Sequence, residues 1–212
     1  MMSLSEQLTE RREGAAKNLP GDIHQTMKSA TQRLKDLKIE EQAPKVGETL
    51  KPFLLPNQNG EKRSLESLLQ NGKVVLTFYR GGWCPYCNME LRAFQAELDK
   101  IEKRGATLVA ISPELPDQSL STSEKNELRF EVLSDLNSEY AKQLGLVFEL
   151  DESLRPIYTS FGIDVEKHNG KGQFELPIPA TFIISQDGTI EYAFVDADYT
   201  YRQEPSELVA LL

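Results

Sequence analysis

The sequence predicts an α/β fold with a central mixed β-sheet flanked by helices. An apolar run at 74–79 is typical of a buried strand, and apolar residues at helical spacing follow it over 91–101. A second apolar run at 106–111 completes a strand–helix–strand unit, whose two strands are parallel. Near the C-terminus, 179–184 and 190–195 are two strands separated by a turn signal, which makes them antiparallel. Such a mixed sheet indicates the thioredoxin-like architecture.

Length and composition indicate one well-buried domain with an extension. After position 42 the composition shifts to proline, glycine and turn residues, which divides the chain into an N-terminal helical extension (1–41) and a thioredoxin-like domain (42–212). The net charge of −9 argues against a nucleic-acid partner. The sequence has neither an apolar run long enough for a membrane span nor the pattern of a secretory leader. Two cysteines one turn apart, with no others, fit a reducing compartment, so we expect a cytoplasmic protein without a membrane partner.

The extension is predicted to hold two helices. Residues 3–19 are charged and helix-prone, and a turn at 19–22 places Asp22 as the N-cap of the second helix. That helix is amphipathic, with an apolar stripe formed by Ile23, Met27, Ala30, Leu34 and Leu37. Either the helix simply lies on the domain, or it forms a homodimer contact or a cover over part of the functional site.

The domain is predicted to start with a short hairpin and a short helix. Residues 53–55 form a strand that ends in a tight turn at 56–60. A helix over 64–69 is closed by the Asn-Gly pair at 71–72. The buried strand at 74–79 follows.

Beyond the strand–helix–strand unit, the signals become weaker. They favour a loop at 113–116, a polar surface helix at 117–128, a third parallel strand at 130–133, extended chain at 146–150, a helix at 152–161, a polar loop at 164–175 and a terminal helix from Ser206. Asp135 or Asn137 is expected to cap a helix that runs through Gln143 and ends at Gly145.

Both cysteines of the chain lie just after the strand 74–79. The glycine pair 81–82 breaks the strand, and Pro85 suits the first turn of a helix, where its missing N–H group would have no partner anyway. Cys84 therefore lies at the mouth of the helix, and Cys87 lies one turn further in on about the same side.

This placement predicts a redox-active dithiol. Free amide groups, the helix dipole and nearby Arg80 favour the thiolate of Cys84, and the thiolate is the nucleophile. After Cys84 is oxidised to a sulfenic acid or a mixed disulfide, Cys87 can attack it and close an internal disulfide. Alternatively, Arg80 is a solvated charge at the strand end. Trp83 is either a flat lid over the dithiol or a core residue.

Two other interpretations of the C-x-x-C motif are open. Zinc prefers four ligands, and the two histidines of the chain, His24 and His168, have no metal-like spacing to the cysteines. A purely structural disulfide would close so short a loop that it would stabilise the fold little. We therefore expect redox chemistry with no metal and no cofactor.

Several segments of the domain match a known family in order and spacing. They are APKVGETLKPFLLPNQNGEKRSLESLL at 43–69, GKVVLTFYRGGWCPYC at 72–87, LVAISPE at 108–114, FEVLSDLNSEYAKQLGL at 130–146 and PATFIISQDGTI at 179–190. With these segments, the chain resembles the AhpC/TSA peroxiredoxin-like group of thioredoxin-fold proteins over about residues 42–195. The resemblance implies a thiol-dependent antioxidant oxidoreductase.

The resemblance also implies supporting residues around the dithiol. Pro179 matches a cis-proline that faces the dithiol in thioredoxin-like proteins and guides the substrate, and Ile178 would offer its backbone to an incoming chain. Thr77 takes the place of the buried aspartate that accepts a proton in thioredoxins. Two departures from the family pattern argue against a fast peroxidase. The segment before Cys84 lacks the Pro-x-x-x-Thr-x-x-Cys pattern of typical peroxiredoxins, and Pro179 stands where they carry an arginine.

Three functions fit this site. In the first, Cys84 reduces a hydroperoxide, Cys87 resolves the sulfenic acid, and a dithiol reductant of the thioredoxin or glutathione type resets the pair. In the second, the same atoms carry out thiol–disulfide exchange with a protein or a small disulfide. In the third, the protein is a non-enzymatic redox sensor whose disulfide switches a surface.

Overall fold

The computed structural model describes residues 2–212 and confirms the mixed α/β fold. In chain order its elements are α1 (Leu4–Asn18), α2 (Gly21–Asp36), β1 (Leu54–Pro56), β2 (Lys62–Ser64), α3 (Leu65–Leu69), β3 (Lys73–Phe78), α4 (Pro85–Lys103), β4 (Ala106–Ser112), α5 (Pro116–Lys125), β5 (Glu131–Ser134), α6 (Glu139–Gln143), β6 (Val147–Glu149), α7 (Arg155–Ser160), α8 (Val165–Asn169), β7 (Glu175–Pro177), β8 (Ala180–Ile184), β9 (Ile190–Val195) and α9 (Pro205–Val209). No helix within residues 2–212 combines the length and the apolar character needed to cross a bilayer.

The central sheet has five strands in the order β5-β4-β3-β8-β9. β3 pairs in parallel with β4, and β4 pairs in parallel with β5, as the strand–helix–strand pattern predicted. On its other side β3 pairs with β8 antiparallel, and β8 forms the antiparallel hairpin with β9. β3 therefore lies in the middle of the sheet with both faces covered, which explains its continuous apolar sequence.

Alternate side chains of β3 enter two separate cores. Val74, Leu76 and Phe78 pack on one face of the sheet. Val75 and Tyr79 pack on the other face, together with α4 and both cysteines. The alternation of the strand thus decides which face carries the dithiol.

The hairpin of β1 and β2 and the short helix α3 form as predicted, and Ser64, expected inside the helix, is its N-cap. Two sequence expectations were wrong. Asp22 is not an N-cap: α2 begins at Gly21 after Pro20, and no side chain caps it. The stretch 164–175 is not a plain loop, because the Asp164 carboxylate caps α8 and β7 begins at Glu175. Because α8 has only five residues and the stretch contains glycines, the sequence pattern indicated a loop instead of this helix.

The cap of α6 is provided by Asp135. Both of its carboxylate oxygens accept helix N–H groups, from Tyr140 and Ala141, each at 2.9 Å. The N-cap position itself is taken by Ser138, which makes no side-chain bond there. Of the two predicted caps, the carboxylate of Asp135 therefore has this role.

The N-terminal helices pack on the domain. Leu4 and Leu8 of α1 are buried in the same core as the dithiol helix α4. Ala30 of α2 is buried in a smaller cluster with Leu150 and Tyr158. Met27 and Leu34 of the same stripe are half-buried against the domain, whereas Leu37 is exposed, so α2 lies on the domain with part of its stripe uncovered.

The C-terminal segment, residues 196–204, connects these helices to the domain. The carbonyl oxygen of Thr200 accepts a hydrogen bond from Arg12 of α1 at 2.9 Å, and the Glu204 carboxylate accepts the N–H of Ser5 at 2.9 Å. Because the segment lies between the extension and the sheet, its side chains can reach the dithiol.

Candidate active site

The dithiol lies where β3 ends and α4 begins. Cys84 has an extended backbone and is the N-cap of α4, with Pro85 in the first helical turn. Cys87 follows in that same turn. Both cysteines are buried free thiols. The predicted placement of Cys84 at the helix mouth, with Cys87 behind it, matches this geometry.

The glycine turn before Cys84 is held by a buried carboxylate, Glu114, at the end of β4. One of its oxygens accepts the N–H of Gly82 at 2.9 Å, and the other accepts the hydroxyl groups of Tyr79 and Thr122, each at 3.1 Å. Nδ1 of His168 lies 2.8 Å from the first oxygen. Because these partners come from different segments, Glu114 fixes the turn that orients Cys84.

A second set of hydrogen bonds holds the same turn from the side of α4. The Asn88 amide donates to the carbonyl oxygen of Gly82 at 2.7 Å, and Asn126 donates to Asn88 at 2.9 Å. Both backbone groups of Gly82 therefore have buried side-chain partners. The turn is fixed by side chains that local sequence patterns do not reveal.

We expect Gly82→Ala to lower the free energy of unfolding by about 1–3 kcal/mol, as overpacking of a buried site does. A methyl group at Gly82 would lie 2.0 Å from Oγ1 of Thr122, so Thr122 must move away from Glu114. Urea denaturation measures the effect. Gly14→Ala is the matched control, because Gly14 lies in α1 with open space around it. Equal stability of the two variants would contradict this account of the turn.

Cys84 is held as a thiolate. Burial alone would raise its pKa, but a hydrogen bond from the Cys87 thiol and the positive charges of Arg80 and Arg202 lower the pKa of Cys84 to about 5. At neutral pH the group is thus ionised and nucleophilic. The dipole of α4, with its N-terminus at Cys84, acts in the same direction.

Arg80 is not a solvated charge at the strand end. Its side chain is buried at 1% exposure, and its guanidinium donates a hydrogen bond to the hydroxyl of Tyr158. The guanidinium also lies over the rings of Trp83, Tyr158 and Tyr199, at 4.9, 5.6 and 4.3 Å from their centroids. Burial lowers the pKa of Arg80, but Tyr158, the Cys84 thiolate and Tyr199 together raise it by more, so the cation persists beside the thiolate.

Cys87 has the opposite electrostatic character. Burial and the neighbouring Cys84 raise its pKa well above the usual value, although Arg202 and Arg80 act against this. The Arg202 guanidinium donates a hydrogen bond to Sγ of Cys87 at 3.2 Å, and its Nε lies 2.8 Å from a carboxylate oxygen of Glu90. In the reduced protein Cys84 is therefore the thiolate and Cys87 the thiol.

Glu90 lies next to the first apolar position of the predicted helix 91–101. A charged residue there is expected on the solvent side, yet the Glu90 side chain is buried. Burial and Cys87 raise the pKa of Glu90 to about 8, and the charge of Arg202 limits that rise. The helical spacing could have predicted this burial, because Glu90 lies three positions after Cys87 and therefore on the same face of α4.

Cys84 opens onto a cavity of about 930 Å³ beneath the N-terminal helices. Its walls combine apolar, aromatic and basic side chains from α1, α2, the dithiol turn, α4, α7 and the C-terminal segment: Arg11, Ala15, Leu19, Met27, Arg80, Trp83, Tyr86, Met89, Arg92, Tyr158, Phe161, Ile163 and Tyr199. Trp83 is half-buried between Arg80 and Tyr158 and forms part of this wall.

The expected cis-proline is absent. Every peptide bond described within 2–212 is trans, that between Ile178 and Pro179 included. Ile178 is buried, and its N–H donates to the carbonyl oxygen of Leu146 at 2.8 Å, so it is not free for an incoming chain. The carbonyl oxygen of Pro179 is likewise bonded, to the N–H of Asp196. The expectation that Ile178 and Pro179 guide a substrate is therefore wrong for this conformation.

Thr77 lies on the dithiol face of β3, on the same side as Val75 and Tyr79. Its hydroxyl is paired with that of Thr181 on β8 at 2.9 Å. This bond stabilises the pairing of two central strands. A supporting role of Thr77 in the chemistry stays a prediction.

Sequence patterns missed most residues that surround the dithiol. Glu114, Tyr158, Tyr199 and Arg202 come from separate loops and helices. Glu114 could have been suspected, since it follows a parallel strand directly at the sheet edge where the dithiol lies. The others have no local signal, because only packing brings them to the cysteines.

Comparison with known proteins reveals three kinds of similarity. The sequence profile of the AhpC/TSA family matches residues 46–193. The chain is 27% identical to peroxiredoxin Bcp of Escherichia coli over 152 residues, which cover 72% of this chain and 86% of that protein. It is 30% identical to a putative peroxiredoxin bcp of Helicobacter pylori over 150 residues, or 70% of this chain and 86% of that protein.

Solved structures share the fold. Peroxidoxin BcpB from Mycobacterium tuberculosis superposes with a TM-score of 0.61 at 24% identity, covering 78% of this chain and 94% of that one. A mutant of peroxiredoxin 6 from Arenicola marina superposes with a TM-score of 0.65 at 20% identity, covering 80% of this chain and 72% of that one. α1 and α2 precede the stretch that the family profile matches.

Proposed function

The chain belongs to the AhpC/TSA family, and from this premise we propose that it is a thiol-dependent peroxidase. Cys84 is the residue that attacks the hydroperoxide, and Cys87 is the resolving residue. The observation that carries the proposal is the thiolate of Cys84, with its pKa lowered to about 5, at the wall of a cavity. The role is that of an antioxidant oxidoreductase, as in the relatives named peroxiredoxin.

In the first step the Cys84 thiolate attacks the terminal oxygen of a hydroperoxide, R–O–O–H. A sulfur–oxygen bond forms and the oxygen–oxygen bond breaks, which leaves Cys84 as a sulfenic acid and releases an alkoxide that takes up a proton. Arg80 faces the reacting sulfur and keeps its positive charge near the developing negative charge. It thus partly replaces the arginine that typical peroxiredoxins carry elsewhere.

In the second step Cys87 attacks the sulfenyl sulfur of Cys84. The new disulfide forms within one helical turn, the sulfur–oxygen bond breaks, and the departing hydroxide takes up a proton to become water. The active site then needs two electrons to start again. We propose that an external dithiol of the thioredoxin type supplies them, with glutathione as the alternative source. Such reductants are found in reducing compartments, which fits a cytoplasmic location.

Thiol–disulfide exchange is the second candidate function. It is favoured by the departures from the peroxiredoxin pattern, since the chain lacks the proline and threonine that usually accompany the reactive cysteine. The same thiolate would attack a disulfide sulfur, and Cys87 would release the mixed disulfide. A non-enzymatic sensor would use the same oxidation without turnover.

One rate comparison distinguishes these functions. Reduced protein is mixed with hydrogen peroxide, with an organic hydroperoxide and with a small aromatic disulfide, and the fluorescence of Trp83, the one tryptophan of the chain, reports oxidation. We expect the hydroperoxides to react at least about tenfold faster than the disulfide, in line with a thiolate positioned for oxygen transfer. Turnover is then measured with thioredoxin, its reductase and NADPH. Faster reaction with the disulfide would replace the first function by the second.

The N-terminal helices supply a wall of the cavity, and we propose that they act as a cover over the site. Gln7, Ala15 and Met27 line the cavity, while Leu4 and Leu8 anchor α1 on the core. The competing proposal is a homodimer contact through the apolar stripe of α2. It is less favoured because Met27, Ala30 and Leu34 already pack within the chain, which leaves Leu37 as the exposed end of the stripe.

A further inference from the structure

A buried ion pair lies behind the dithiol, on the side away from the cavity, and the mechanism above leaves it without a role. Arg202 and Glu90 face each other across the interior, with side chains that are 0% and 1% exposed. Arg202 belongs to the C-terminal segment, beyond the stretch that matches the family profile. A buried ion pair is costly to form, so its position against a reactive sulfur calls for a functional explanation.

We propose that Arg202 activates Cys87 for the resolving step and that Glu90 positions Arg202 for this purpose. The inference rests on the proposed function, in which Cys87 attacks oxidised Cys84. Arg202 is then a catalytic residue, because its guanidinium touches the reacting sulfur. Glu90 is a positioning residue, because it acts through Arg202.

The geometry of Arg202 supports this role. One amino group donates to Sγ of Cys87 at 3.2 Å, and Nε faces a carboxylate oxygen of Glu90 at 2.8 Å. The other amino group donates to carbonyl oxygens of the C-terminal segment, that of Tyr201 at 2.8 Å and that of Tyr199. The guanidinium plane is therefore held on several sides, and the group that points to Cys87 has little freedom to move away.

The charges around Cys87 explain when Arg202 acts. In the reduced protein burial and the neighbouring Cys84 thiolate together keep Cys87 protonated, although Arg202 and Arg80 oppose this. After the first step Cys84 is a neutral sulfenic acid, so the main negative neighbour of Cys87 is lost. The cation of Arg202 remains in contact with Cys87 and then favours its thiolate. Arg202 thus supports the Cys84 thiolate in the reduced protein and the Cys87 thiolate once the peroxide has reacted.

The other groups facing Cys87 do not supply the same effect. Glu90 on α4 is negative when ionised and disfavours a second negative charge. Tyr79 from the end of β3 and Tyr158 from α7 are neutral, since burial raises the pKa of each phenol. Arg80 is positive but is engaged with the Tyr158 hydroxyl and three aromatic rings on the cavity side. Arg202 is the cation bonded to Cys87.

Atoms and charges balance in the resolving step when Arg202 has this role. The Cys87 thiol loses its proton as its sulfur bonds to the sulfenyl sulfur of Cys84. The hydroxide that leaves Cys84 gains a proton and departs as water, so the reaction consumes no external acid or reductant. Arg202 stays protonated throughout and stabilises the Cys87 thiolate that forms on the way.

The test measures the ionisation of Cys87 in protein that carries Cys84→Ser, in which position 84 is uncharged as it is after the first step. The ultraviolet absorbance of the thiolate is followed against pH, which requires no access of a reagent to the buried sulfur. We expect Arg202→Met to raise the titration midpoint of Cys87 by about 1–3 pH units, the usual effect of losing a nearby opposite charge. Arg202→Lys should restore part of the shift.

Glu90→Gln should move the midpoint in the opposite direction. Above its pKa of about 8 Glu90 carries a buried negative charge, which the substitution removes, while the amide oxygen can still accept a hydrogen bond from Arg202. A purely structural role of the pair would not produce opposite shifts. If Arg202→Met folds poorly because Glu90 is left unpaired, the double variant Arg202→Met with Glu90→Gln carries no unpaired charge and should still have a raised midpoint.

The surface ion pair of Arg129 and Asp99, which also involves α4, is the matched control. Arg129→Met should leave the Cys87 midpoint unchanged, because this pair is exposed and screened. Equal midpoints with and without Arg202, or an upward shift in Glu90→Gln, would overturn the proposal.

Single-turnover kinetics in protein with both cysteines then link ionisation to resolution. We expect Arg202→Met to slow disulfide formation at least about tenfold, while sulfenic acid formation changes less, since Arg80 also supports the Cys84 thiolate. An unchanged rate of disulfide formation would contradict the proposal. If peroxide does not oxidise Cys84 in the unaltered protein, the proposed function fails, whereas the titration above still decides whether Arg202 controls Cys87.

Discussion

Cys84→Ser is expected to abolish peroxide consumption, by about three orders of magnitude or more, because a hydroxyl at this position is not ionised at neutral pH. Cys87→Ser should instead complete one reaction with peroxide and then stop. Its Cys84 is oxidised to a sulfenic acid that has no partner for the second step. A dimedone adduct detected by mass spectrometry measures the trapped sulfenic acid, and peroxide consumption is followed in parallel.

The two variants also make the assignment of roles falsifiable. Alkylation by iodoacetamide near neutral pH should be fast in Cys87→Ser and slow in Cys84→Ser, because the remaining thiol in the latter is Cys87. The difference follows from the opposite pKa shifts of the two cysteines. Equal alkylation rates of the two variants would falsify the division of labour between attacking and resolving thiol.

Arg80→Met is expected to have the second largest effect, on the pH profile of the first step. In the unaltered protein the pKa of Cys84 is about 5, so reactivity should be constant above about pH 6 and fall as the pH drops through 5. Loss of the Arg80 charge should move this midpoint upward by about 1–3 pH units. At pH 6 the variant should then react roughly tenfold more slowly, while at high pH the rates converge.

Two further variants distinguish charge from packing at this site. Arg80→Lys keeps a positive charge and should retain part of the low midpoint, although it loses the planar stacking. Arg155→Met is the matched control, because the Arg155 guanidinium also lies over an aromatic ring, that of Phe174 at 4.0 Å, without bearing on Cys84. A midpoint that stays near 5 in Arg80→Met would refute the role of Arg80.

The burial of Arg80 and Glu90 shows where sequence interpretation was insufficient. Both are charged residues that a local pattern assigns to the solvent side, yet each is buried with a partner from a distant segment. A charged residue tolerates burial only when its partners lie close. Those partners, Tyr158 and Arg202, lie far along the chain, and no periodicity of the sequence predicts their contacts with Arg80 and Glu90.

The N-terminal extension shows the same limit of prediction from local sequence patterns. The spacing of Ile23, Met27 and Ala30 predicted an amphipathic helix, and α2 has that form. The pattern left open whether the apolar stripe met the domain or another copy. The structure packs Ala30 against Leu150 and Tyr158 within the chain and leaves Leu37 exposed, and a cavity lies beneath the helices.

The sequence by itself determined the elements whose signals are local. β3, the glycine turn, the helix that starts at Cys84 and the β8–β9 hairpin follow from spacing and turn chemistry within short windows, because backbone preferences act over a few residues. The proximity of Cys84 and Cys87 is also determined locally, because one helical turn brings them together.

Only the tertiary structure decided the electrostatics of the dithiol. Arg202 reaches Cys87 across 115 positions of sequence, and Glu114 reaches Gly82 across 32. Coulomb interactions and hydrogen bonds depend on distance in space and on exclusion of water, and both are set by how the layers pack rather than by neighbouring residues. The sequence thus places two cysteines at the N-terminus of a helix, and the packing of the interior determines which of them is ionised.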